Sequence, residues 1–157
     1  MHTTNNSLST KTRSKVAAIL NQSLADLSDL YSQTKQAHWN VRGRHFYSLH
    51  KLFDDLAGSV EAHLDDMAER VTALGGIAQG TIRQAAAASR LPEFPTAQKD
   101  DFAYVAALVE RFASAANETR KAIDQTAQLG DADSADLFTG VSRDLDKALW
   151  MLEAHNS

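Results

Sequence analysis

At 157 residues, with 43% hydrophobic side chains, the chain is long enough to bury one sizeable core, and a single domain is expected. It has no cysteine, which excludes disulfides, thiolate metal sites and cysteine nucleophiles, so any metal must be held by His, Asp or Glu. The formal net charge of −4 argues against a constitutive nucleic-acid binder and suits attraction of cations.

Only seven glycines and two prolines interrupt the chain, and Ala, Leu, Asp, Gln and Lys are plentiful, a balance that favours helix over strand. The opening MHTTNNSLSTKTRSK has no apolar run of the signal-peptide kind, and no segment approaches transmembrane length. A cytoplasmic protein without a membrane partner is expected. Residues 1–9 read as a short tail, 10–154 as the domain and 155–157 as a second tail.

From about Thr10 to Trp39, Val16, Ile19, Leu20, Leu24, Leu27, Leu30 and Tyr31 recur at three- and four-residue steps, predicting a first amphipathic helix. Asn40 to Arg44, with Gly43, reads as a tight turn. Leu49, Leu52, Phe53, Leu56, Val60, Leu64, Met67, Val71 and Leu74 mark a second helix, stopped by Gly75-Gly76. Ile77 to Pro95 is a long connection in which Ile82 to Ser89 supplies one or two helical turns. A third long helix carries Phe102, Val105, Leu108, Val109, Phe112 and Ile123, and a fourth carries Leu137, Phe138, Val141, Leu145, Leu149 and Leu152. Four such helices with one long crossover predict an all-α four-helix bundle.

The chemistry gathers on the second helix. His50, Asp54, Gly58, Glu61, Asp65 and Glu69 fall within a stripe of about 100°, and the apolar residues of that helix centre roughly 150° away. The stripe therefore faces out of its own bundle. Di-iron carboxylate bundles instead aim Glu-x-x-His pairs at their interior, and no Glu-x-x-His occurs in this chain. A charged helical stripe is usually just solvated, but two features point further. His50 and Asp54 are an i, i+4 pair, as are Asp65 and Glu69, a spacing that lets two side chains meet one ion. The two pairs lie roughly 22 Å apart on a straight helix, too far to share an ion within one subunit. An antiparallel copy of the helix, related by a two-fold axis between Ser59 and Val60, brings His50 towards the partner's Glu69 and Asp54 towards the partner's Asp65. Gly58 lies near that centre, and two-fold association is the commonest kind. His38, at the end of the first helix, can place an imidazole beside His50. Nitrogen and carboxylate ligands leave iron, manganese and zinc open.

The segment Lys35-Gln-Ala-His-Trp-Asn-Val-Arg-Gly43, with Phe46, Leu49-His50, Asp54, Asp65-Asp-Met-Ala-Glu-Arg70 and Leu74-Gly-Gly76, strongly resembles the Dps family, DNA-protecting proteins of starved cells. Ser142-Arg-Asp-Leu-Asp-Lys147 and Leu149-Trp150 extend the likeness to the last helix. The resemblance implies a ferritin-like bundle, a hollow dodecamer, and an inter-subunit ferroxidase centre. In that centre His38, His50 and Asp54 come from one chain and Asp65 and Glu69 from its two-fold mate. It also implies ferrous iron as substrate, hydrogen peroxide as preferred oxidant and a ferric mineral in the cavity. Asp131, Asp133 and Asp136 lie where the family places its three-fold pores. Asp136 is the favoured pore residue, since Asp131 or Asp133 suits a helix cap.

The remaining candidates are weaker. Trp39 is expected to pack the centre rather than quench oxidising equivalents, and His63, on the apolar side of its helix, reads as a core or interface histidine. His2, His45 and His155 receive no role, and Lys51 sits where acidic residues would aid mineral nucleation. Two rival functions remain: a DNA-compacting protein with secondary iron binding, and a zinc- or manganese-binding assembly protein. DNA binding is expected to be weak. Met1 to Thr10 and Glu153 to Ser157 contain no Lys or Arg, and the nearest basic cluster is Lys11, Arg13 and Lys15.

Overall fold

A computed structural model of the chain describes residues 1–155; Asn156 and Ser157, most of the expected C-terminal tail, lie outside the described residues. Five helices follow in order: α1 (Thr10–Asn40), α2 (Phe46–Ala73), α3 (Ile82–Ala88), α4 (Asp101–Gln128) and α5 (Ala132–Glu153). No strand occurs among the described residues, and no helix is long and apolar enough to cross a membrane.

The starts of the helices follow local chemistry. The Ser9 hydroxyl accepts the Thr12 N–H to cap α1, Asp100 accepts from Ala103 for α4, and Asp131 accepts from Ser134 for α5. The α3 turn is fixed by a capping box in which Thr81 and Gln84 satisfy each other's backbone N–H groups. α2 is the exception, because its N-cap residue His45 makes no side-chain capping bond. Gly75 (φ +82°) and Gly130 (φ +79°) turn the chain out of α2 and α4 through the left-handed region that glycine adopts freely.

α1 packs along α2, and α4 along α5; α1–α4 and α2–α5 contacts join the two hairpins. Side-chain contacts give the directions. His45, before α2, meets Asp101 at the start of α4, while Arg70 near the end of α2 meets Asp131 and Ser134 at the start of α5. α2 and α4 are therefore parallel, and residues 74–100 must carry the chain back along the bundle. Bonds from α1 pin that return step by step: Asn21 to Ile77, Gln22 to Ala88, Asp26 to Arg90 and Gln33 to Pro92.

The core is aliphatic and aromatic, with Phe53, Phe112, Phe138, Leu20, Leu30 and Met67 among its fully buried side chains. Close packing of this kind leaves no interior space lined by carboxylates. Arg13 is drawn in as well. It is 7% exposed, and its guanidinium donates to the carbonyls of Leu74 (2.8 Å) and Leu8 (3.1 Å). One of these is a carbonyl at the end of α2, where the helix has no partner of its own. Beside it the His2 N–H donates to Gly75 O, so the N-terminal segment is laid against the end of α2. Arg13→Ala is expected to cost about 1–3 kcal/mol, the range for leaving buried groups without a partner. Exposed Lys15→Ala should change stability by less than about 0.5 kcal/mol. Parallel thermal melts check this, and equal shifts would refute the role given to Arg13.

Candidate metal centre

The turn between α1 and α2 is only five residues long, so the last turn of α1 lies beside the first turns of α2. His38 and His50 face each other there with ring centroids 3.8 Å apart and planes 20° from parallel. Each ring is held by the other residue's backbone. His38 Nδ1 lies 2.7 Å from His50 O, and His50 Nδ1 lies 2.9 Å from His38 O. A carbonyl can only accept, so each Nδ1 carries the proton and donates it. In the neutral ring the Nε2 lone pair is then free, as a metal-ligating imidazole requires.

His38 is buried and His50 half-buried, while Phe46 covers His50 from 5.1 Å. Asp54, one turn beyond His50, brings Oδ1 to 3.9 Å from His38 Nε2. That same oxygen accepts a 2.7 Å bond from Lys35 Nζ. The bond to Lys35 holds the Asp54 carboxyl below its ordinary range, opposed by partial burial and aided by the charge of Lys35. Lys35 was not singled out from sequence as a site residue. Its signal was present, since Lys35, His38 and Trp39 share the i, i+3, i+4 face of α1. The Lys35 ammonium lies 5.9 Å from the Trp39 ring centroid.

The sequence places two further carboxylates in the centre, and the subunit does not bring them to the histidines. Asp65 and Glu69 are exposed farther along α2. Among the described residues, no group of three or more His, Asp or Glu side chains of one chain converges to hold a metal ion. The chain thus supplies two free imidazole nitrogens and a carboxylate partly neutralised by Lys35.

The other candidates separate clearly. His63 is half-buried and pairs with Asp144 of α5 at 2.9 Å, an interhelical contact. Asp131 caps α5 and binds Arg70, whereas Asp133 and Asp136 are exposed. Trp39 lies largely on the surface, 66% exposed. With Leu64, Tyr31, Ile82 and Ala85 it lines a largely apolar groove of about 380 Å³ beside Lys35. Ile82 is 89% exposed at the edge of that groove. His45 was given no role from sequence, yet its backbone N–H and ring both bond the buried Asp101.

Known proteins share this arrangement of helices. Residues 17–157 match the Ferritin-like domain family. A DNA protection during starvation protein of Agrobacterium fabrum is 45% identical over 154 residues, covering 98% of this chain and 95% of that protein. One from Brevibacillus brevis is 31% identical over 147 residues, covering 94% and 98%. DpsC from Streptomyces coelicolor superimposes with a TM-score of 0.94 at 31% identity, over 99% of this chain and 91% of that one. A Dps protein from Vibrio cholerae, described as one of the ferritin-like diiron-carboxylate proteins, gives 0.91 at 27% identity over 100% and 98%. With its four long helices, its short crossover helix and these likenesses along nearly its whole length, the chain belongs to the Dps family of ferritin-like proteins.

Proposed function

We propose that the chain is an iron-sequestering ferroxidase whose metal centre is shared between two subunits. The observation that carries this reading is the reciprocal His38–His50 pair, which leaves two Nε2 atoms without a proton, that of His38 3.9 Å from Asp54 Oδ1. His38, His50 and Asp54 of one subunit, with Asp65 and Glu69 of its two-fold mate, complete the set. Three further facts support it. The ligands of one chain do not converge in threes among the described residues. Gly58, beside the required two-fold point, has nothing beyond its own stretch of α2 within 4 Å of the place its Cβ would occupy, so a second α2 can approach closely. The exposed apolar groove of Trp39, Leu64 and Ile82 adjoins the same side chains and suits cover by a mate.

Ferrous iron is the substrate. Two ferrous ions each give one electron to a peroxide, which takes up two protons and leaves as two waters, so both reactants that generate hydroxyl radical are removed. The chain's part is binding and charge. The imidazoles hold the ferrous ion, and the carboxylates favour the ferric product. Asp54 contributes less, because an incoming cation must displace Lys35 from its carboxylate. Ferric product collects as mineral within a hollow homododecamer, with Asp136 placed to line an entry pore, and the assembly works in the cytoplasm. Zinc and manganese suit the same donors and act as competitors for the site. The relatives' name points to DNA protection, which removal of iron and peroxide achieves without tight DNA binding.

Outer partners of a metal ligand are worth about 10- to 100-fold in affinity or activity, and loss of ligands exceeds that. His50→Ala with Glu69→Ala should therefore abolish peroxide-driven oxidation of anaerobically loaded ferrous iron, read by absorbance of the ferric product. Asp54→Asn should slow it less. A double variant as fast as the wild type would end the catalytic reading.

Sharing is tested by mixing. Subunits lacking His38 and His50 and subunits lacking Asp65 and Glu69 should each be inactive alone, and co-assembly should restore activity through one intact centre per mixed interface. Full activity in either unmixed assembly would refute a shared site.

DNA affinity should be weak at neutral pH and physiological salt. Phosphate contacts by Lys and Arg dominate such binding, and of the basic cluster at the start of α1, Arg13 is committed to carbonyls inside the subunit. Of that cluster only Lys11 and Lys15 are exposed, and the avidity that twelve copies give is opposed by a net charge of −4 on each. Submicromolar retardation in a gel shift, lost on neutralising Lys11 and Lys15, would overturn this and favour the DNA-compacting alternative.

A further inference from the structure

The two histidines of the centre are oriented by each other's backbone, so their geometry depends on how far α2 slides along α1. The start of α2 is also gripped from a third helix. Asp101, in the first turn of α4, is 6% exposed, and its carboxylate reaches across to the turn between α1 and α2. Oδ2 accepts the His45 backbone N–H at 2.9 Å and the His45 Nδ1–H at 3.1 Å. Oδ1 accepts the N–H of Phe102 on its own helix. His45 is the N-cap residue of α2, and its carbonyl accepts the first bonds of that helix, from Leu49 N and Ser48 Oγ. Its ring also leans on Phe102, with centroids 4.9 Å apart.

Gly43 provides the room. It sits at φ +144°, and a Cβ there would lie 2.6 Å from Asp101 Cγ, so only glycine lets the carboxylate enter the turn. A buried carboxylate is costly unless donors surround it, and this one is surrounded by the turn it organises. Those bonds hold its proton affinity below the ordinary range, the His45 N–H contributing most.

We propose that Asp101 is a positioning residue for the metal centre: seated against Gly43 and bonded to His45, it fixes the start of α2 and so the register in which His38 and His50 orient one another. The inference rests on the metal-centre reading above and assigns it a determinant on α4, a helix that carries none of the proposed ligands.

The test uses the whole assembly and cobalt(II), whose visible spectrum reports nitrogen and oxygen ligation without oxidation. Asp101→Ala should weaken cobalt binding by about ten-fold or more, as loss of an outer partner does, while the assembly stays intact. Asp101→Asn should bind close to wild type, because its amide oxygen still accepts the His45 N–H. Arg90→Ala is the control for general destabilisation. It breaks the ion pairs of the crossover to Asp26 and Glu118, away from the centre, so it should melt lower with cobalt affinity unchanged. Wild-type affinity in Asp101→Ala, or an equal loss in Arg90→Ala, overturns the proposal. If Asp101→Ala does not assemble, Gly43→Ala, whose Cβ would fall 2.6 Å from Asp101 Cγ and so displace the carboxylate from the turn, serves in its place: a loss of about ten-fold or more supports the proposal and wild-type affinity refutes it. His50→Ala separates the two levels. Cobalt binding that needs His50 but not Asp101 sinks this inference alone, and binding indifferent to His50 sinks the centre and the inference together.

Discussion

The bond from each histidine ring to the other residue's carbonyl is the constraint around which the α1–α2 end of the bundle and the candidate metal centre are organised. The two halves of the exchange differ. His38 lies in the last turn of α1, where carbonyls lack an intrahelical partner, so the His50 N–H satisfies a group that would otherwise need water. His50 O lies inside α2 and already belongs to the helix ladder, so the His38 N–H takes its second lone pair. One exchange thus caps a helix end, locks two tautomers and aligns two rings. It also makes the geometry of the two imidazoles a property of the α1–α2 packing rather than of either side chain alone.

Much of the fold was legible because its period is local. Leu20, Leu24, Leu27 and Leu30 in α1, and Phe53, Leu56, Val60 and Met67 in α2, are buried as their spacing requires. The Ala-rich stretch of the crossover forms α3 over Ile82–Ala88. The start of α2 was not legible, since the helix begins at Phe46 and the apolar pattern begins at Leu49. The usual signal is a Ser, Thr, Asp or Asn cap, and His45 gives none because its polar groups are turned to Asp101, 56 residues away in sequence. The candidate ligands were legible through the 3.6-residue stripe and the resemblance, as was the approach of His38 to His50. The grip of Lys35 on Asp54 was not. It joins two helices, and spacing along one helix says nothing about what reaches it from another.

Charge is used here as internal bracing to an extent that a net charge of −4 conceals. Arg13 ties the end of α2 to the start of α1, Arg70 joins α2 to Asp131 at the cap of α5, and Arg111 reaches Gln33 and the carbonyl of Glu93. Each ties together segments far apart in sequence. Buried or partly buried cations with such partners are held in place, so counting Lys and Arg overstates what remains for a phosphate backbone. The expectation of weak DNA affinity began from the sparse tails and gains a second basis in this bracing.

The placement of the proposed centre follows from what the core excludes. Phe53, Phe112, Phe138 and Met67 fill the interior, and an interior filled by close-packed hydrocarbon has neither room nor solvation for carboxylates. The acidic residues of α2 must therefore lie on its outer side, where each is exposed or half-exposed in the lone subunit. On that side a single helix cannot surround an ion, because residues on one helical face diverge along the axis instead of closing on a point. In the shared centre proposed above, an antiparallel copy supplies the missing half without any new residue type, and it does so twice by symmetry. At that proposed centre, a bound metal would strengthen the contact that creates it, so the metal and the association of the two copies would stabilise each other by mass action.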